Sequence, residues 1–509
     1  MIYTLIVSLI CVVGVSYAFF TAGMSSETST TVRADAGTMK ITYNGGKDIN
    51  LSGIYPKDDV WATKTITVTG NNTTDAEMYY KLTLVVDSNT FKTDDPLQYE
   101  LVSTNTSTNG EIIPNISKTD ITGTSIELGS GKFAKANNAK HTYLLKIYYP
   151  KKATSQNANQ GAAFSAHVEI TSAKAPKTNG KLSELVLYNN KVKTPVTTPG
   201  AAVSTASEAL LASTEDDYGT SYYFRGAVTN NYVEFANKCW RIVRIGGDGS
   251  VKLILHNDNT TKAANPCTAT NNNASAAFAR YSGTTYKSAF NTNYNDNAYV
   301  GFKFGTVGAS GYASAHANTN KSTILTNLET WYTNNLKTYE SVIDNSVWCN
   351  DKTNVTDTSY DPWSITPNGL GYAKNVTYYG ATQRLVNTNG SAGGTGPSLK
   401  CNGELSKINS KVGLITADEL AFAGYAYTKN NKTTYLQENA TDDTTYWWSL
   451  SPNDFDGSRA LVWGVFGSDG YFSNDFVNYT NAVRPLISLK STTNVTGNGT
   501  SSSPFVVII

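Results

Sequence analysis

Four cysteines carry the clearest chemistry in this 509-residue chain. Cys239, Cys267, Cys349 and Cys401 all lie in the C-terminal half, while Cys11 sits in an apolar N-terminal run. An even set in an exported domain points to two disulfides, one of three possible connectivities. The nearer pairs in sequence, Cys239–Cys267 and Cys349–Cys401, are favoured over the other pairings and over four free thiols. No C-x-x-C spacing occurs, which argues against zinc or dithiol redox chemistry. The four histidines, His141, His167, His256 and His316, form no close-spaced metal or triad pattern. The chain is therefore read as a non-enzyme.

The residues suited to ligand recognition cluster near the C-terminus. A sugar site needs an aromatic face for C–H packing and carboxylates or amides for hydroxyls. Trp447, Trp448, Trp463, Phe466 and Tyr471 stand near Asp454, Asp456, Asp469, Asn474 and Asp475. Asp454, Phe455, Asp469, Tyr471 and Asn478, with Trp463, are the ligand candidates. No cofactor is expected. Calcium is weakly signalled by two oxygen-rich runs, Asn293-Tyr294-Asn295-Asp296-Asn297 and Asn453-Asp454-Phe455-Asp456-Gly457. Neither continues as a twelve-residue EF-hand loop with its closing Glu, and such runs are commonly turns.

The elements that must position these residues are mostly strands. Tyr (32 residues) and Thr favour strands; Asn, Ser and Gly favour turns. Lys+Arg (41) and Asp+Glu (40) nearly cancel, so no field recruits nucleic acid or anionic lipid. Residues 2–20 are almost continuously apolar and residues 1–26 uncharged, which marks a signal peptide or membrane anchor over 1–24, with a small-residue cleavage point after Ala18. Any contact with the membrane is expected through this segment.

Period-2 alternation at Met39, Ile41 and Tyr43, at Ile66 and Val68, at Tyr80, Leu82, Leu84 and Val86, and at Phe164, Ala166, Val168 and Ile170 predicts half-buried strands. Residues 176–220, broken by Pro176, Pro195 and Pro199, read as a linker whose only structure is a short apolar stretch at Leu182–Leu187 and a turn at Ala206–Ala212. Asp248-Gly249 between two β-rich runs predicts a hairpin over 239–255. Leu325, Leu328, Tyr332, Leu336 and Tyr339 form one stripe of a helix over 322–339. A second helix opens on the capping box Thr416-x-x-Glu419 and stops at Gly424. A last hairpin joins 460–466 to 471–477, a strand follows over 482–489, and residues 491–509 read as a tail strand. No C-terminal cell-wall sorting signal is recognisable, so attachment is expected from the N-terminus, from assembly or from partners.

Two resemblances add to this reading. The run Val15-Ser16-Tyr17-Ala18-Phe19-Phe20-Thr21, then Ala36-Gly37-Thr38-Met39-Lys40-Ile41, then the turn at 55–59 and Thr65-Ile66-Thr67-Val68-Thr69-Gly70-Asn71 resembles the TasA and camelysin-like matrix proteins handled by the SipW-type signal peptidase. That implies an exported, jelly-roll-like β-sandwich over 25–175 and raises fibre assembly through an N-terminal strand. The order Trp447-Trp448-Ser449-x-Ser451-Pro452, Gly470-Tyr471, Val483-Arg484-Pro485 resembles C-type-lectin-fold domains of the formylglycine-generating-enzyme type. That implies an α+β domain over 221–490 in which Trp447 and Trp448 are core and Arg484 makes buried hydrogen bonds. Formylglycine-generating enzymes hold copper with a late cysteine pair, and no cysteine follows Cys401 here. The leading expectation is a bacterial surface adhesin for a glycan or protein ligand. The alternatives are a self-assembling fibre or matrix subunit and, less favoured, a metal-dependent enzyme of the formylglycine-generating type.

Overall fold

A computed structural model describes residues 30–35, 38–72, 77–105, 109–172, 178–268, 275–441 and 446–509. The export segment, its cleavage point and Ala36-Gly37 lie outside the described residues. Among the described residues no helix is long and apolar enough to cross a membrane. The chain is a β-rich multidomain protein with several sheets, and among the described residues none closes on itself. It divides into two compact units, Met1–Ala175 and Pro176–Ile509.

Among its described residues the first unit contains ten strands: β1 (Thr30–Asp35), β2 (Thr38–Asn44), β3 (Ile49–Ser52), β4 (Lys57–Asn72), β5 (Met78–Asn89), β6 (Gln98–Ser103), β7 (Ile116–Asp120), β8 (Ser125–Phe133), β9 (Ala136–Tyr149) and β10 (Ala163–Ser172). They form two antiparallel sheets, β1-β2-β4-β9-β6-β7 and β3-β10-β5-β8. Both sheets supply one core. Alternation places Ile66 and Val68 of β4 and Tyr143, Leu145 and Ile147 of β9 in it, with Tyr80, Leu82 and Leu84 of β5.

The second unit opens with β11 (Asn179–Lys181), α1 (Leu182–Asn189), β12 (Ala209–Asp216), β13 (Gly219–Gly226), β14 (Tyr232–Phe235), β15 (Lys238–Ile245) and β16 (Val251–Asn257). It continues with β17 (Lys287–Ser288), β18 (Lys303–Phe304), α2 (Tyr312–His316), β19 (Asn320–Lys321), α3 (Thr323–Asn335), β20 (Ser346–Cys349), β21 (Thr377–Tyr378), α4 (Gly380–Leu385), β22 (Lys407–Ser410) and α5 (Ala417–Ala423). The end of the chain supplies β23 (Tyr446–Phe455), β24 (Ala460–Phe466), β25 (Tyr471–Phe476), β26 (Asn481–Ala482), β27 (Leu486–Leu489), β28 (Asn494–Thr496) and β29 (Phe505–Val507). A nine-stranded sheet runs β11-β28-β29-β14-β15-β13-β12, with β16 on β15 and β27 on β16. A six-stranded sheet runs β17-β26-β23-β24-β25, with β21 on β23.

Three sequence expectations need correction. Residues 176–220 are not a linker. Leu182, Leu185 and Val186 of α1 are buried in the core of the second unit, and Leu211 follows on β12. The helix is only two turns long, too short to show a periodicity against its proline-rich surroundings. Residues 491–509 are not a lone tail strand. They form β28 and β29, and the first strand of the unit, β11, pairs with β28 near its end. The unit therefore extends on both sides of 221–490. Finally, the run 482–489 is not one strand. It splits into β26 and β27, which belong to different sheets, at Pro485, whose ring nitrogen has no hydrogen to donate to a ladder.

The predicted helices and hairpins are present. Ser322 caps α3, its hydroxyl accepting from Leu325 N at 3.2 Å, and a short 3₁₀ turn at Lys337–Tyr339 ends the stripe. Both halves of the Thr416/Glu419 capping box are formed on α5. Cys239 is bonded to Cys267 and Cys349 to Cys401.

Candidate ligand-binding site

The β24–β25 hairpin decides where the sequence candidates fall. Its register pairs Leu461 with Phe476 at the open end and Phe466 with Tyr471 at the turn. Seven strand residues at about 3.3 Å each separate the two ends by roughly 20 Å. Asp469 and Tyr471 lie at the turn end, and Asn478 just beyond the open end. The six candidates do not form one site.

Asp454, Phe455 and Trp463 are interior, so the expectation that they contact ligand is corrected. Asp454 and Phe455 lie on β23 between β24 and β21, Trp463 lies on β24 between β23 and β25, and all three side chains are buried. Trp463 packs on Phe472 and Tyr427, with ring centroids 4.8 and 5.4 Å apart. With the Asn453 amide turned to satisfy its neighbours, its oxygen accepts from Trp463 Nε1 at 3.0 Å and its nitrogen faces Asp454. Burial, with a further push from the Asp456 charge, raises the Asp454 carboxyl well above the usual carboxylate range. Trp447, Trp448 and Arg484 are also wholly buried.

At the open end three loops converge through backbone hydrogen bonds. Asn291 N donates to Val477 O (3.0 Å), Val477 N to Ala460 O (3.1 Å), and Ala460 N to Tyr294 O (2.8 Å). The surface they build carries exposed aromatic rings: Tyr294 is 41% and Tyr479 49% exposed. Tyr479 stands edge-on to Phe476 at 5.3 Å, and the Arg459 guanidinium lies 3.6 Å over the Phe476 ring. Asp456 accepts from Ser458 N, Ser458 Oγ and Arg459 N at 2.7–2.8 Å. Burial pushes its carboxyl up, but these hydrogen bonds outweigh that and hold it below its ordinary value. Asp475 goes the other way, raised by burial despite the 2.7 Å bond from Asn481 Nδ2. Asn478 Oδ1 is buried and, among the described residues, has no donor against it. Flat rings beside amides and carboxylates are what packing against a sugar ring and bonding its hydroxyls require.

The oxygen-rich runs assigned to calcium lie partly here, but their oxygens are engaged locally. Asp296 accepts from Ala298 N and Gly308 N, and Asn297 Nδ2 donates to Ala373 O and Asn375 O. Among the described residues no group of three His, Cys, Asp or Glu side chains is arranged to hold a metal ion.

The turn end is different. Asp469 is paired at 2.7 Å with Lys432, both well exposed. They flank a groove of about 460 Å³ lined by Val228, Thr229, Thr433, Glu438 and Ser468 among others. Glu438 is engaged by Arg241 Nη1 at 2.7 Å and Tyr232 Oη at 2.9 Å. Tyr471 is half-buried.

Residues 381–491 match DUF6273, a domain of unknown function. No curated protein matches the chain. The DUF6273 stretch includes α5, both ends of the hairpin and two of the three converging loops. Tyr294, which completes the open-end face, lies outside it.

Sequence reasoning missed a second polar feature. A cavity of about 40 Å³, room for two or three waters, lies beside Cys349–Cys401. Arg244 bridges Asp216 and Glu419, each at 2.9 Å, and Lys252 also reaches Glu419 at 2.7 Å. Arg384 bridges Asp351 and Asp418, each at 2.7 Å. Burial alone would raise the Glu419 carboxyl, but Lys252 and Arg244 hold it down at about 2. Burial lowers the Lys252 ammonium, with Glu419 opposing. The buried charges of Arg244, Lys252 and Arg384 are each paired with a carboxylate, so the cluster reads as a framework that locks the nine-stranded sheet to α4 and α5. No local spacing could announce it, because Arg244 and Glu419 are 175 residues apart.

Proposed function

We propose that this protein is a bacterial surface adhesin, a binding protein rather than an enzyme. In this reading a TasA-like β-sandwich carries a C-type-lectin-like unit whose open-end face takes a glycan. Two disulfides and a β-rich fold fit a secreted, extracellular protein. The observation that carries the reading is the convergence of three loops on one face bearing Tyr294, Tyr479 and the Arg459–Phe476 stack. Single exposed aromatics are ordinary; two beside a stacked ring, with amides and carboxylates between them, form a recognition surface.

The test is binding of the chain lacking residues 1–24 to an array of glycans and to matrix proteins. Tyr479→Ala and Tyr294→Ala should each weaken glycan binding by at least about tenfold, the scale of an anchoring aromatic contact. Asp469→Ala, at the far end of the hairpin, should leave it unchanged. The reverse pattern would move the site to the groove, and binding to proteins alone would replace the ligand class. No binding on either panel sinks the adhesin reading.

One observation supports a fibre subunit as the second reading. Among the described residues, β1 is an edge strand of the six-stranded sheet that pairs with β2 alone. An open edge is a template for another chain. Filaments from the chain lacking residues 1–24 that disappear when residues 25–35 are also removed would support it; a chain that stays monomeric under assembly conditions would not.

A further inference from the structure

Arg484 is fully buried, and among the described residues it has no carboxylate partner. Its Nε donates to Leu255 O at 2.9 Å and its Nη1 to Leu436 O, while Nη2 has no acceptor. The nearby Arg241 differs, because Glu438 balances its charge at 2.7 Å. Around Arg484 stand three more buried donors that, among the described residues, have no acceptor. The Tyr435 hydroxyl has none. The Trp447 indole N–H has none, and its ring lies 5.1 Å from the guanidinium. His256 Nε2 faces the Asn439 amide nitrogen at 3.1 Å and accepts from it, which leaves the ring proton on Nδ1, also buried and unpaired.

These groups share one neighbourhood. Arg484 acts electrostatically on His256 and on Tyr435, and both tyrosines beside it, Tyr425 and Tyr435, are held neutral by burial. Neither phenol therefore supplies the missing negative charge. A buried guanidinium with no ion-pair partner of its own, acted on by a Glu438 already bonded to Arg241 and flanked by several orphan donors, costs far more than a fold usually tolerates. One small negative ion would remove both penalties, because it neutralises the charge and accepts several N–H and O–H bonds at once.

We propose that Arg484, Tyr435 and His256 bind a monovalent inorganic anion of the size of chloride inside the second unit. Tyr435 also lines the groove of about 460 Å³, but its hydroxyl is sealed from solvent, so the ion enters on folding or through local opening. The site is separate from the open-end face and does not depend on what that face binds.

The experiment uses the chain lacking residues 1–24, unfolded and refolded in sodium gluconate so that no trapped halide remains. Chloride or bromide is then titrated in at constant ionic strength, and the unfolding midpoint is followed. The midpoint should rise saturably with either halide and not with gluconate, as binding to the native state alone requires. Tyr435→Phe, which keeps the ring and removes only the hydroxyl, should raise the half-saturating halide concentration about tenfold, the equivalent of about 1.4 kcal/mol. Crystals grown in bromide should show an anomalous peak beside Arg484. A midpoint that is the same in halide and gluconate, or a bromide-grown crystal with only water beside Arg484, overturns the proposal.

Discussion

Arg384 holds both oxygens of Asp418, with Nε at 2.7 Å from Oδ1 and Nη2 at 2.8 Å from Oδ2. Its remaining arm reaches Asp351 Oδ2 at 2.7 Å, and Ser398 N donates to Asp418 Oδ1 at 2.9 Å. One side chain of α4 thus joins α5 to the segment after β20 and to the loop that leads to Cys401. The two carboxylates keep the guanidinium charged far beyond any accessible pH, against the opposing effect of burial. Arg384→Ala leaves both carboxylates buried without a cation, and should lower the stability of the second unit by about 3–5 kcal/mol. Urea unfolding followed by tryptophan fluorescence measures this. A loss under about 1 kcal/mol, the size of an exposed ion pair, would show that the cluster is solvated and not structural.

The two disulfides close loops of different length, with separations of 28 and 52 residues. In the chain-entropy account they stabilise by about 3.5 and 4 kcal/mol respectively. Cys349→Ser/Cys401→Ser should therefore be the more damaging pair. It also frees the segment around Lys400 and Cys401 beside the charged cavity, so protease cleavage should begin there. Limited proteolysis with mass mapping of the first cut checks the order and the place. Equal losses for the two pairs, with a first cut elsewhere, would contradict it.

What was legible in the sequence was local. The Thr416/Glu419 box, the helix stripe that starts at Ser322 and the β15–β16 and β24–β25 hairpins depend on neighbours within a few residues, and residue type alone places them. The disulfide-bonded, β-rich character was equally visible. Two things were not. Helix α1 is too short to show a period, and its burial comes from contacts across the unit. The placement of Asp454 and Phe455 turns on β23 being a central strand, and that of Trp463 on β24 lying between β23 and β25, which no local property of either run reveals. Oxygen-rich runs look the same in sequence whether they face solvent or cap a turn. Tyr479, the most exposed aromatic of the open-end face, stands one residue from Asn478, but nothing local distinguished it.

Asp454 carries an unusual pH signature. Burial, then the charge of Asp456, raises its folded-state pKa above the unfolded value near 3.8. Its contribution to stability is therefore fully present below about pH 3.8, and as pH rises from there to the folded pKa the fold loses about 1.4 kcal/mol per pH unit. Asp454→Asn keeps the shape and cannot ionise. The variant should be more stable than the parent at neutral pH, by a margin that grows as pH rises from 4 and vanishes below it. Unfolding of both chains between pH 3 and 8 gives the comparison. A variant that is less stable at neutral pH would show that Asp454 is ionised and paired.

The core of the first unit contains a directed hydrogen-bond chain. His141 Nε2 donates to Asn109 O at 2.8 Å, so its Nδ1 accepts from Tyr80 Oη at 2.6 Å. Tyr80 in turn accepts from Tyr143 Oη at 2.5 Å, and Tyr143 accepts from Ile113 N at 3.0 Å. Each group has one compatible role, and burial keeps His141 neutral by lowering its pKa, against the bond to Asn109. Tyr80→Phe leaves His141 Nδ1 without a donor and Tyr143 without an acceptor; Tyr143→Phe strands Ile113 N. Each change should destabilise the unit by roughly 1–3 kcal/mol. The double variant should lose less than the sum of the two, because the bond between the tyrosines is then counted once. A double-mutant cycle by chemical denaturation measures the coupling. Strict additivity would mean that the two hydroxyls act independently and that the chain does not work as a unit.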